Sequence, residues 1–143
     1  MAVVCTLSNH FKFQLLSGLI DFDTDAFKII LMNTSFAFDK DADATLALVT
    51  ADQLATNYGY TQDSKTLANV SVTEDDVNDK GAVTWDDVTW TASGGSIGAS
   101  GAAIIYDATT SDDTVVGCID FGEDVTAPNG VNLQLQDVEI DLT

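Results

Sequence analysis

The apolar positions follow two different periods along the chain. Near the N-terminus Phe11, Leu15, Leu16 and Leu19 recur at helical spacing, Ser8 and Asn9 are good N-caps, and Gly18 sits where a helix-ending glycine belongs. This predicts a short helix over about 9–18. Asp21, Asp23 and Asp25 then mark a turn, and Ala26 to Met32 is an apolar run of strand length. Residues 33–57 have no clean period and read as a long loop, with a helical turn as an alternative over 44–54; loops of that length are often interaction elements.

From Leu67 onward the period is two. Leu67 to Thr73 alternates, and Asn78-Asp79-Lys80-Gly81 is a turn signal. Val83 and Trp85 share one parity, Val88 and Trp90 the other, which places a bulge or bend at Asp86-Asp87. Ser93 to Gly101 is glycine- and serine-rich, flexible or tightly turned. Ala102–Tyr106 and Thr114–Phe121 read as a hairpin around 107–113, continuously apolar, so both of its faces should be covered. Pro128-Asn129-Gly130 is a further turn. Val131, Leu133 and Leu135 alternate, then Val138, Ile140 and Leu142 on the other parity, implying a bulge at Gln136-Asp137. Six or seven strands with turn punctuation and no internal repeat predict a mainly β chain. The architecture expected is a single antiparallel β-sandwich, jelly-roll-like, with one short N-terminal helix.

Charge narrows the function. The 143 residues carry 23 acidic and 5 basic side chains, a net charge of −18; the bases are all lysine, and twenty of the acids are Asp against three Glu. Asp prefers turns and caps to helix interiors, in keeping with a loop-rich β protein. Phosphate-directed nucleic-acid binding needs a basic stripe that this composition lacks, and an anionic membrane surface would repel the chain. No apolar run is long enough to span a bilayer, and Met1–Leu7 lacks the basic region of a secretory signal. Cys5 and Cys118 make no CxxC pair; they read as small buried thiols, with a disulfide between them left open.

Candidate chemistry is sparse. Asp21-x-Asp23-x-Asp25 and Asp39-x-Asp41-x-Asp43 begin like calcium loops, but Ala26 and Ala44 stand where glycine is required, and Met32 and Thr50 where glutamate is required. They read as solvated turns. His10 is the single histidine, no catalytic set is specified, and no cofactor or metal is implied, so the chain is not expected to be an enzyme. The glycine-rich stretch Gly94–Gly98 lacks the lysine of a phosphate loop and reads as a turn. Aromatic residues are the remaining candidates. Phe11, Phe13, Tyr58, Tyr60, Trp85 and Trp90 are taken as interface residues, with Tyr58 and Tyr60 placed in loop rather than strand.

Several short segments in order resemble a family of tailed-bacteriophage virion proteins, the capsid decoration or cement proteins. They are Phe11-Lys12 with Leu15, Leu16, Gly18, Ile20 and Asp21; Thr24 to Leu31; Gly59-Tyr60-Thr61 with Lys65-Thr66-Leu67; Val83 to Trp90; and Ala102 to Tyr106 with Asp112-Asp113, Gly117 and Ile119 to Gly122. The resemblance spans roughly 9–141. Ala102 and Ala103 stand in place of the basic residue associated with the strand before Tyr106. The resemblance implies a virion structural protein on the outer capsid surface, assembled in the host cytoplasm. It would act as a small homo-oligomer (dimer or trimer) that clamps adjacent major capsid proteins. Placement in the tail or at the head–tail junction is its alternative. A calcium-dependent, Asp-rich carbohydrate-binding module is the reading from outside the family. Loop 33–57 and the N-terminal helix are the expected contact surfaces, and removal of residues 1–20 is expected to abolish binding while leaving a folded domain.

Overall fold

The computed structural model describes residues 5–143, and the reading of Met1–Leu7 as no secretory signal falls largely outside them. In chain order the elements are β1 (Cys5–Leu7), α1 (Asn9–Leu16), β2 (Phe27–Asn33), α2 (Leu46–Val49) with a following 3₁₀ turn, β3 (Ser71–Asp75), β4 (Lys80–Thr84), β5 (Val88–Thr91), β6 (Ile97–Asp107), β7 (Val115–Ala127), β8 (Asn132–Leu135) and β9 (Glu139–Leu142). All strand pairs are antiparallel. The strand orders are β1-β7-β6-β2, β3-β4-β9 and β5-β8. The chain is therefore mainly β and consistent with a sandwich. A jelly roll divides eight strands between two sheets, and this strand order does not confirm one.

The four-stranded sheet is the centre of the molecule. Its alternating side chains supply two cores. Ile29, Leu31, Ala103, Ile105 and Ile119 face the two smaller sheets, where they meet Trp85, Val88, Trp90, Leu133, Leu135, Val138 and Ile140. Ile30, Met32, Ala102, Ile104, Tyr106 and Cys118 face the other way. This second face is roofed by the segment after β2, through Phe36, Phe38, Leu46 and Val49. The β6–β7 hairpin is thus covered on both sides, as its continuous hydrophobicity required. Loop 33–57, expected as a contact surface, packs Phe36, Phe38, Leu46, Val49 and Leu54 against the cores and leaves Leu48 exposed.

The two phase slips have a larger meaning than a bulge. At Asp86-Asp87 the chain passes from the three-stranded to the two-stranded sheet, and at Gln136-Asp137 it passes back. Each slip resets the parity, so Val83, Trp85, Val88 and Trp90 all point inward, as do Leu133, Leu135, Val138 and Ile140. The strand expected over Leu67–Thr73 is shifted: residues 65–67 lie beside β2, with Leu67 N–H donating to the Phe27 carbonyl at 2.8 Å, and the pairing strand is Ser71–Asp75. The stretch 93–101, expected to be flexible or tightly turned, bends at Gly94-Gly95 and is corrected from Ile97 on, where β6 begins.

The Asp clusters fold as turns. In both, the first Asp N–H donates to the fifth residue's carboxylate at 2.8 Å, and the first carboxylate accepts the third residue's N–H at 2.9 Å. A carboxylate one methylene longer does not close this ring as well, which accounts for Asp over Glu at these positions. Among the described residues no group of three His, Cys, Asp or Glu is arranged to hold a metal. Cys5 and Cys118 are free thiols. No helix among the described residues is long and apolar enough to cross a membrane.

Candidate functional site

Four of the six expected interface residues are core. Phe11, Tyr60, Trp85 and Trp90 are buried in the chain's own interior and cannot face a partner without unfolding it. Trp85 packs with Phe22 and Phe27, at ring-centre distances of 6.1 and 5.6 Å. Trp90 lies under the Lys65 ammonium, 5.6 Å from its ring centre. Tyr60 does structural work at a sheet edge: its hydroxyl accepts the Leu31 N–H and the Gln53 amide, each at 3.0 Å. Its place in a loop sequence predicts a surface position, but the loop folds back along β2.

The remaining two are exposed and separate. Tyr58 is 45% exposed, at φ +47°, and lies over Gly95, where an added Cβ would meet its ring at 2.5 Å. Phe13 stands on α1. Leu16 stands on it as well and Leu19 follows its C-terminal cap, the three being 61%, 89% and 58% exposed. The expected apolar stripe of Phe11, Leu15, Leu16 and Leu19 holds at Phe11 and is corrected beyond it: Gln14 is the other buried position, Leu15 is half-buried, and Leu16 and Leu19 are exposed.

The helix is held rigidly enough to present these side chains. Ser8 Oγ accepts the Phe11 N–H at 3.0 Å and donates to the Val115 carbonyl at 2.5 Å, which caps the helix and ties it to β7 in one residue. At the other end Gly18, at φ +73°, donates to the Leu15 carbonyl at 3.1 Å, and Leu19 N–H donates to Gln14 at 2.9 Å. That is a Schellman closure, which explains the glycine. On the inner flank His10 Nε2 lies 2.8 Å from Asp112 Oδ2. Asp112 also accepts the Thr114 hydroxyl at 2.6 Å. Burial pushes the Asp112 carboxyl up, but the bonds from Thr114 and His10 outweigh this and hold it below its ordinary range.

Beside α1 lies an open groove of about 530 Å³, lined among others by Leu15, Leu16, Leu142, Lys12 and Lys40. The structure brings Lys40 and Leu142 to the helix, beside its own Lys12. The sequence alone does not group these three, because the approach of Lys40 and Leu142 depends on loop 33–57 and on β9. Removal of residues 1–20 is also corrected as a test: it would take Phe11 from the core and β1 from its pairing with β7, so the domain would not survive it.

Comparison with known proteins gives no relative: no family model matches the chain, and no match is found among curated proteins or solved structures.

Proposed function

We propose that this chain is a virion structural protein, a capsid cement protein that joins neighbouring major capsid proteins on the outer shell. The observation that carries the reading is the set of exposed apolar side chains on α1 and just past its C-terminal cap. Three large apolar side chains in one short segment stand in solvent on a chain of net charge −18. Exposed apolar side chains clustered in this way mark interaction sites. The resemblance over 9–141 supplies the partner. Burying Phe13, Leu16 and Leu19 against a capsid subunit would contribute at roughly 25 cal/mol per Å² removed from water. Repetition over a closed lattice turns a modest contact into stable attachment. The acidic remainder of the surface keeps many copies soluble and steers them toward basic patches on the shell.

The test is copy number per particle. Virions from the phage that encodes the chain are purified, and the chain is quantified by mass spectrometry against the major capsid protein. Hundreds of copies support the cement role. A count of roughly six or twelve, the symmetry of a tail or connector, moves the protein to the head–tail junction. Absence from the particle overturns the reading. A Phe13→Ser/Leu19→Ser variant, which leaves the core intact, is expected to lose attachment.

A further inference from the structure

We infer that the groove between α1 and the end of β9 receives a partner segment carrying aliphatic side chains and a carboxylate. This rests on the proposal that α1 is a contact surface, and it names the chemistry of what binds there. The groove is a continuation of the sandwich interior. Ile140 is buried against the core, and Leu142, two residues on and therefore on the same face of β9, is 36% exposed. Opposite Leu142 on β4 is Gly81, where an added Cβ would meet nothing within 4 Å. The core-facing side of the three-stranded sheet thus runs on past the end of the core. Leu15 and Leu16 form the other wall, leaving an aliphatic slot open to solvent.

Charge selects the occupant. Lys28 donates to the Asp63 carbonyl at 2.9 Å, Lys65 to the Thr89 carbonyl at 2.8 Å, and Lys80 to Glu139 and Asp141 at 2.5 and 3.0 Å. The other two lysines, Lys12 and Lys40, both line the groove, and neither ion-pairs with a carboxylate among the described residues. Asp141 and Thr143 also line it, and both carboxylate oxygens of Asp141 are held by Lys80 at 3.0 Å. A strongly acidic molecule therefore places at one aliphatic slot the two lysines that, among the described residues, have neither an ion pair nor a side-chain hydrogen bond. A leucine-like side chain in the slot with a carboxylate at the rim satisfies both features.

The test sets this local chemistry against the global field, because net charge alone favours a basic peptide. The labelled full chain is titrated by ¹H–¹⁵N NMR in 0.15 M salt with the hexapeptide Leu-Asp-Leu-Ser-Leu-Asp and with its counterpart carrying Lys for Asp. The inference expects the acidic peptide to bind about tenfold more tightly, with shifts centred on Lys12, Leu16 and Leu142. Lys12→Gln/Lys40→Gln and Leu16→Gln should each weaken it about tenfold without changing the melting temperature. Tighter binding of the basic peptide, or shifts centred elsewhere, overturns the inference. So does concentration-dependent self-association that Leu16→Gln abolishes, since the occupant is then a second copy. The shell reading fails separately: if Phe13→Ser/Leu19→Ser leaves virion attachment unchanged, that reading is lost whatever the peptide does. If attachment requires Phe13 and Leu19 but is indifferent to Lys12→Gln/Lys40→Gln, the shell reading stands and the groove is overturned.

Discussion

Replacing Asp107 by asparagine should stabilise this protein at neutral pH, although the residue is fully buried and hydrogen-bonded. Its Oδ1 accepts the Thr109 N–H at 2.8 Å, but Oδ2 is buried without a hydrogen-bond partner among the described residues, and the Asp25 carboxyl lies beside the Asp107 carboxyl. Two carboxylates are acceptors only, so one of them must hold a proton for the contact to be favourable. Burial first, and then Asp25, push the Asp107 carboxyl up to about 6. Against an ordinary value of about 4, two units at about 1.4 kcal/mol each correspond to about 3 kcal/mol of destabilisation once Asp107 is ionised. The folded state holds its proton more tightly than the unfolded state does. This contribution to stability is therefore complete below about pH 4, falls as pH rises, and is lost above about pH 6.

Asparagine keeps the acceptor for Thr109 and turns a donor toward Asp25. It loses the charge assistance of the Thr109 bond, about 1 kcal/mol, so the net gain at pH 7 is about 2 kcal/mol. For a chain of this size that raises the melting temperature by roughly 4–8 °C. The assay is urea unfolding of both proteins at intervals between pH 4 and 7. The difference between them isolates this site from the other carboxylates. Asp107→Asn should lead at pH 7 and lose its lead by pH 4. A variant equally destabilised at both ends, or a difference that does not change with pH, would refute the reasoning.

Other expectations follow from single contacts. Tyr60→Phe leaves the Leu31 N–H without its acceptor inside the core, and should cost about 1–3 kcal/mol in chemical denaturation; no change would mean another group takes the bond. Gly117→Ala places a Cβ 2.5 Å from the Thr6 carbonyl oxygen and 2.7 Å from Cys5 Sγ, so it should pry β1 from β7. A loss of about 1–3 kcal/mol and faster amide exchange in residues 5–7 are expected, and unchanged exchange speaks against the packing. Burial pushes the Cys118 thiol up to about 12 and the Cys5 thiol also upward, with the neighbouring Cys118 adding to the latter. The native protein at pH 8 should therefore react negligibly with a thiol reagent and give two equivalents after unfolding; fast native reaction would contradict the burial.

The sequence by itself determined what depends on a few adjacent residues. Period-two alternation marked the β class, and two continuously apolar segments marked the β6–β7 hairpin and required cover on both of its faces. The Asp spacing marked turns that close through their own carboxylates, and Ser8 and Gly18 bounded the helix within two residues. These are properties of backbone geometry and short-range hydrogen bonding. The tertiary structure decided which apolar residues are inside. In two turns of helix, Phe11 with Gln14 and Phe13 with Leu16 are equally regular stripes, and the pull of Ser8 toward β7 chose the first. Tyr60 became core because its hydroxyl found the edge of β2. Loop 33–57 became a roof because the second face of the central sheet had no other cover. The groove beside α1 exists because β9, from the far end of the chain, ends next to the first helix. Burial is set by what arrives from elsewhere in the chain, and no local pattern records it.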